Sequence, residues 1–295
     1  MIYLPRALPA SHQLSADGLP VAEWETLDEA IQMPSVKRIL LLNLMPQKPI
    51  TELDIARTLA QAQTDVCLIP IKIAGQQYKT TPQAYVERFY TEFQRVEAYH
   101  FDGLIITGAP VEQIPFEAVR YWHQLQHIMD WAVDHANSTL YICWGAQAGL
   151  YHHYGIPKYG LPEKKFGVFP QNQLQADIPL LHDLPPIFHM PHSRHTEIRK
   201  SDLLHHSDSL TLLAESTATG VSIIAGNKGA DIYITGHLEY EPTTLHREYQ
   251  RDLSKGLPIQ MPVNYYVDDD PVKGVNYSWQ YASVKFYSNW IEYYC

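Results

Sequence analysis

The chain has 295 residues, 45% of them hydrophobic and 18% charged, an ordinary globular composition that excludes collagen-like, low-complexity and disordered readings. Lys plus Arg total 22 against 32 Asp plus Glu, a formal charge of −10 with no Lys/Arg run, which argues against a nucleic-acid partner and leaves any anionic ligand dependent on a few local cations. Only Cys67, Cys143 and Cys295 are available for redox chemistry, too few for a disulfide framework and suited to a reducing cytoplasm; no apolar run nears the roughly 18 residues of a membrane span, and Met1–Arg6 lacks the form of a secretory signal.

Residues 1–36 carry scattered prolines without clear periodicity and read as an irregular arm, followed by a single α/β domain over 37–295. Lys37–Leu44 is a continuous apolar run of the kind a strand buried on both faces shows. Thr51-Glu52-Leu53-Asp54 resembles a capping box and predicts a helix from there to about Ala62. A second strand is expected at Val66–Ile71, a helix after Thr81-Pro82, and a third strand at Gly103–Thr107, ending in Gly108-Ala109-Pro110. Phe116, Val119, Trp122, Leu125, Met129 and Ala132 recur at helical spacing, and Asn137-Ser138 is expected to break the chain before a strand at Thr139–Ile142. From Gly155 to about Ser207 the chain is rich in Pro and His and weakly periodic, as a loop-rich insertion would be. Val221–Ala225 and Asp231–Thr235 read as strands joined at Asn227-Lys228-Gly229, followed by helices near Thr243–Leu253 and at the C-terminus. Strands alternating with helices predict an α/β fold with a mostly parallel sheet flanked by helices.

The chemistry concentrates at Ile142-Cys143-Trp144-Gly145-Ala146, where an apolar strand ends in a cysteine followed by small residues that permit a sharp entry into a helix. That pattern is a nucleophile elbow with Cys in place of Ser; the helix N-terminus favours a thiolate, and the Trp144 N–H would face an oxyanion. A buried structural cysteine is an equal alternative on the local pattern alone. A cysteine nucleophile needs a base, and Thr235-Gly236-His237-Leu238-Glu239-Tyr240 supplies His237 with Glu239 two residues on, hence on the same side of an extended segment. The two features together favour catalysis. Cys67, inside an apolar strand, reads as core, and Cys295 as an inert terminal thiol.

Asn43-Leu44-Met45-Pro46, Phe101–Pro110, Ile142-Cys143-Trp144, Pro191-His192-Ser193-Arg194 and Thr235–Tyr240, with Asn264-Tyr265-Tyr266 and Asn289-Trp290, resemble in order the homoserine O-acetyltransferase/O-succinyltransferase family. The resemblance spans nearly the whole chain and implies a class I glutamine-amidotransferase-like (flavodoxin-like) fold and acyl transfer from an acyl-CoA through a cysteine thioester. It implies Cys143 as nucleophile, His237 as base, Glu239 as its orienter, Lys48 beside the active site, and Lys164, Ser193 and Arg251 as amino-acid contacts. An arginine at position 251 suits bidentate pairing with a substrate carboxylate, although a solvated helix face shared with Arg247 is the alternative. Glu112 stands where the family's acetyl users carry Glu and its succinyl users Gly; a carboxylate there would repel a succinyl carboxylate, which implies acetyl-CoA as co-substrate.

Departures from the family pattern fall where the acceptor should bind. Lys164-Lys165-Phe166-Gly167 replaces Lys-Leu-Ser-Gly, and the added bulk of Phe166 suggests a shorter acceptor, L-serine slightly ahead of L-homoserine. The expected enzyme feeds cysteine or methionine biosynthesis by ping-pong kinetics, binds no cofactor or metal, and contacts neither nucleic acid nor membrane; a homodimer is left open. Homoserine O-succinyltransferase is the alternative on the same motifs, a glutaminase or cysteine hydrolase the alternative on the same fold, and a non-catalytic sensor the least favoured. His189, His192 and His195 are spaced by three, but Pro191 disfavours the helix that would align them for a metal. Asp268-Asp269-Asp270 reads as a solvated loop, and Gly145–Gly149 lacks the spacing of a dinucleotide loop.

Overall fold

The computed structural model describes residues 1–175 and 177–295. In chain order its strands are β1 (Ile2–Pro5), β2 (Val21–Trp24), β3 (Lys37–Leu42), β4 (Val66–Lys72), β5 (Thr91–Glu92), β6 (Phe101–Ile106), β7 (Ala136–Ile142), β8 (Tyr159–Gln173), β9 (Ile187–Glu197), β10 (Thr211–Ser216), β11 (Gly220–Gly226) and β12 (Asp231–Ile234). The α-helices are α1 (Pro9–Ala16), α2 (Leu27–Gln32), α3 (Lys48–Ala60), α4 (Gln83–Phe89), α5 (Trp122–His135), α6 (Trp144–Tyr154), α7 (Lys200–Leu204), α8 (Thr244–Ser254) and α9 (Gln280–Tyr293).

One sheet runs β2-β1-β4-β3-β6-β7-β12-β11-β10-β8-β9, with β5 beside β4. Pairing is parallel from β2 to β12 and antiparallel from β12 to β9. Alternate residues of β3 point to opposite faces, and both faces are covered. Ile39 and Leu41 pack with Leu14, Ile55, Leu59, Phe286 and Trp290 of α1, α3 and α9. Leu40 and Leu42 pack with Ile31, Leu125, Met129, Trp144 and Ala148 of α2, α5 and α6. Burial on both faces is why β3 and β4 are apolar at nearly every position rather than at alternate ones. The layered, mostly parallel α/β fold expected from the sequence is therefore present.

Four local expectations are corrected. Residues 1–36 are not an irregular arm: β1 pairs between β2 and β4, so this segment extends the same sheet. Its elements are four to eight residues long, too short to show periodicity, with Pro5 ending β1, Pro9 opening α1 and Pro20 preceding β2. Helix α3 begins at Lys48, not at Thr51, because Pro49 occupies the first turn, where its missing N–H costs nothing. Asn137 and Ser138 lie inside β7, which follows α5 directly. The stretch expected as a loop-rich insertion contains β8 and β9, paired antiparallel with an irregularity between Gly160 and Lys165. Burial does alternate along the end of β9, but the buried positions are His192, Arg194 and Thr196, so an apolar period was absent from the sequence.

Candidate active site

The parallel strands β6, β7 and β12 end together, and the site is built on the segments beyond their C-terminal ends. After β7, Cys143 adopts φ 53° and ψ −113°, a positive-φ backbone that a side-chain-bearing residue rarely takes. Its N–H donates to Ile234 O of β12 at 2.7 Å, and its carbonyl accepts from Gln147 N at 3.2 Å, so the turn is pinned to the sheet on one side and to α6 on the other. The turn can be this tight because residue 145 is glycine: a Cβ there would lie 2.7 Å from Ile106 O and 2.8 Å from Thr107 O. As the residue before α6, Cys143 faces first-turn N–H groups, Trp144 among them, that have no partner within the helix and can meet negative charge on sulfur or on an oxyanion.

The segment after β12 brings the second group. His237 Nδ1 lies 2.6 Å from Glu239 Oε1, and the Tyr240 ring stacks on the imidazole at 4.1 Å between centroids, 13° from parallel. Burial alone would push His237 down; the Glu239 carboxylate and the Cys143 sulfur outweigh it and hold the imidazole well above its usual value. With Nδ1 engaged by Glu239, Nε2 is left for Cys143. Gly236 permits the approach of this segment to β9, since a Cβ there would meet Pro191 O at 2.8 Å.

Behind the pair lies a charge that sequence reasoning passed over. Arg194 is 1% exposed and donates to the carbonyls of Thr196 and Thr219. Burial works against its charge, while the Cys143 sulfur, Glu197 and Glu112 favour it. Neighbouring His192 is driven well below its usual value, by burial first and then by Arg194 and His237, and so stays neutral. The Cys143 sulfur thus faces the His237 imidazole, the buried Arg194 guanidinium and the N-terminus of α6.

A cavity of about 880 Å³ opens above these groups, lined among others by Asp54, Glu112, Lys164, His195, Tyr240, Glu248 and Arg251. Cys143 (6% exposed) and His237 (4%) lie behind that lining rather than on it. Three expected contacts converge on one carboxylate: Glu248 accepts from Lys164 Nζ at 2.6 Å, from Ser193 Oγ at 2.9 Å and from Arg251 Nη2 at 3.4 Å. Glu248 was not singled out from the sequence, although it stands one helical turn before Arg251 on α8. Arg251 also donates to Asp252 at 2.6 Å. Glu112 accepts from the His195 N–H at 2.6 Å and from Thr196 Oγ1 at 3.3 Å, and Thr196 in turn reaches Gln147 of α6 at 2.8 Å. Its carboxylate is thus fixed at the cavity wall between β9 and α6.

Two expected residues sit apart from this cavity. Lys48 is buried at the start of α3, its ammonium donating to Asn43 O beside the rings of Tyr78 and Tyr90; burial lowers it to about 8, opposed by Glu52. Phe166 does not line the cavity. It packs with Val168, Tyr240, Leu245, Tyr265, Tyr266 and Trp279, with Lys164 Nζ 4.4 Å from its ring, so the narrowing of the acceptor pocket expected from its bulk is not what its position provides. Cys67 is core, its thiol pushed up to about 12 by burial; Cys295 is buried against Gly103.

His189, His192 and His195 form no metal-capable group. Among the described residues that description fits Asp130, His152 and His153, where α5 meets the end of α6. Gln126 and Asp130 already hold both nitrogens of His152, at 3.2 Å and 2.6 Å. Asp268 pairs with Lys273 at 2.8 Å in an exposed turn. No helix among the described residues is long and apolar enough to cross a membrane.

A strained cysteine at a strand–helix turn beside a His–Glu pair stands on a mostly parallel sheet whose architecture is that of the glutamine amidotransferases. A solved glutamine amidotransferase from Methylobacillus flagellatus superposes with a TM-score of 0.53 at 11% identity, covering 88% of this chain and 94% of that one. The profile of the homoserine O-succinyltransferase family matches residues 1–295. A homoserine O-acetyltransferase of Bacteroides fragilis is 46% identical over 291 residues, covering 99% of this chain and 94% of the relative. One from a Geobacillus species (strain WCH70) is 43% identical over 293 residues, covering 99% and 96%. The chain belongs to this homoserine O-acyltransferase family and is an acyltransferase.

Proposed function

We propose that the protein transfers acetyl from acetyl-CoA to the side-chain hydroxyl of L-homoserine through a thioester on Cys143. The observation that carries this reading is the nucleophile elbow at Cys143 set against the His237–Glu239 pair, below a cavity walled by Glu112. In the first half-reaction the Cys143 thiolate attacks the acetyl carbonyl, the Trp144 N–H meets the oxyanion, and the CoA sulfur leaves with the proton held by His237. In the second half, neutral His237 takes the proton of the acceptor hydroxyl as its oxygen attacks the acetyl-enzyme. Cys143 leaves as thiolate and the O-acetyl amino acid forms. Exchange between thioesters is nearly balanced, so positioning and oxyanion stabilisation are what the site must contribute.

The cations Lys164 and Arg251 suit the acceptor's carboxylate, and Glu248, which they surround in the free enzyme, suits its ammonium. Homoserine is favoured over serine because Phe166, the one residue that argued for a shorter acceptor, packs away from the cavity. The relatives named for homoserine support the same choice. One methylene separates the two acceptors by about 10- to 200-fold in an apolar pocket, so side-by-side kinetics resolve them. The test is CoA release from acetyl-CoA with L-homoserine and L-serine offered separately, together with mass spectrometry for an acetylated Cys143. Turnover with homoserine and a mass gain on Cys143 support the reading. A higher kcat/KM with serine replaces the acceptor. Ammonia release from glutamine with no CoA release would return the protein to the hydrolases of the same fold.

A further inference from the structure

An acidic chain that uses a CoA thioester must find cations for several phosphates. Most of those around the larger cavity are already paired: Arg247 lies 2.5 Å from Glu241, Arg251 2.6 Å from Asp252, and Lys164 2.6 Å from Glu248, which leaves Lys255 at the end of α8 as the lysine of that lining with no ion pair among the described residues. A second cavity of about 240 Å³ adjoins the first, sharing Met45, Pro46 and Thr80 as lining residues. Its lining contains Lys48, Lys72 and Lys79, the amides of Gln76 and Gln77, and no carboxylate. Lys48 is turned inward to Asn43 O and forms the inner end. Lys79 is exposed and makes no ion pair among the described residues. Lys72, at the end of β4, has its nearest carboxylate, the exposed Glu92, at 3.9 Å.

In a protein with ten more acidic than basic residues, a cavity lined by three lysines and no acid is an exception to the surrounding field. We propose that this lysine-lined cavity holds the phosphates of the CoA donor, with Lys72 and Lys79 pairing to phosphate oxygens and the amides of Gln76 and Gln77 donating beside them. The arm of the donor then passes Met45 and Pro46 into the larger cavity, toward Cys143. This assignment rests on the acyl-CoA reading above and adds the place where the donor's charge is met.

The experiment compares kcat/KM for acetyl-CoA with kcat/KM for S-acetyl-N-acetylcysteamine, a thioester with no phosphate, in wild type and in Lys72→Glu/Lys79→Glu. The ratio of the two is expected to fall by about tenfold or more, the loss of one or two charge-assisted contacts. The neutral pair Lys72→Gln/Lys79→Gln gives a smaller fall of the same sign, and serves if the charge reversal fails to fold. In wild type the ratio also falls with added salt. A folded double variant whose ratio is unchanged overturns the assignment, as does a fall produced by Lys255→Glu on the α8 rim and not by the lysine pair. Wild-type enzyme that turns over the phosphate-free thioester but not acetyl-CoA defeats the donor reading itself, an outcome distinct from unchanged ratios in an enzyme that uses both.

Discussion

Glu239 Oε1 and His237 Nδ1 stand 2.6 Å apart, both nearly sealed from solvent, on a segment held between β9 and the Tyr240 ring. That contact raises the proton affinity of the imidazole, because burial pulls it down and the Glu239 carboxylate, with the Cys143 sulfur, pulls it back up. Replacing Glu239 by Gln removes the charge and leaves the burial. The His237 titration midpoint, followed by NMR of the ring nitrogens, is expected to move to lower pH in the variant. Acyl transfer is expected to fall by about 10²- to 10⁴-fold, because His237 loses the partner that orients it as the base. An unmoved midpoint would show that Glu239 does not set the imidazole's charge.

Glu112 gives a donor prediction. Its carboxylate is fixed at the cavity wall by the His195 N–H and Thr196 Oγ1, so in the proposed acyl transfer a stationary carboxylate would face the acyl end of the donor. Glu112→Gly removes that charge and opens space. The ratio of kcat/KM for succinyl-CoA over acetyl-CoA is expected to rise by about tenfold or more, the effect of relieving one like-charge contact in a partly buried site. Equal preference before and after the substitution would move donor selection elsewhere.

Gly145 ties catalysis to folding. A methyl group at that position meets two backbone carbonyls of the β6 end at 2.7 and 2.8 Å, and backbone cannot step aside as a flexible side chain can. Gly145→Ala is expected to cost about 1–3 kcal/mol of stability by urea unfolding, the range for overpacking. Because the same turn carries Cys143, alkylation of that thiol by iodoacetamide is expected to slow in the folded variant. Wild-type stability in the variant would show that α6 can shift off β6.

The sheet, its parallel half and the cysteine elbow were legible because they rest on dense local signals: apolar runs in β3, β4 and β6, and small residues after Cys143. The His237–Glu239 pair was legible from a spacing of two in extended backbone. Arg194 and Glu248 were not, because their importance comes from contacts across the sheet and the cavity: Arg194 through the field it exerts on Cys143, Glu248 through Lys164 and Ser193, 84 and 55 residues away in the chain. The ribbon of β8 and β9 was hidden for a related reason. At the end of β9 the inward positions carry the polar side chains of His192, Arg194 and Thr196, so the alternation that marks a strand is not apolar there. Phe166 erred the other way, since a substitution beside a substrate-contacting lysine suggested a pocket wall and the ring packs into a neighbouring aromatic cluster.

Asp54 offers a prediction that separates stability from chemistry. It lies on α3 at the edge of the cavity, 2% exposed; among the described residues Oδ1 has no hydrogen-bond partner and Oδ2 accepts only from Thr244 Oγ1 at 3.3 Å. Burial first, then the charges of Glu241 and Glu239, raise its carboxyl well above the usual range, against smaller opposing effects of Arg247 and Thr244. In the unfolded chain the same group ionises near pH 3.9. Below about that value both states hold the proton and Asp54 adds no pH dependence. Above it the unfolded chain releases the proton freely while the folded state resists, so wild-type stability falls with rising pH until the folded group also ionises. Asp54→Asn removes this linkage and the poorly solvated charge. Its stability gain over wild type is expected to be small near pH 4 and to grow toward pH 8, to about 1–3 kcal/mol, the cost of one unsatisfied buried polar group. Urea unfolding at several pH values checks it. A gain that is flat with pH, or a loss that grows with pH, would mean that Asp54 is charged and satisfied in the folded enzyme.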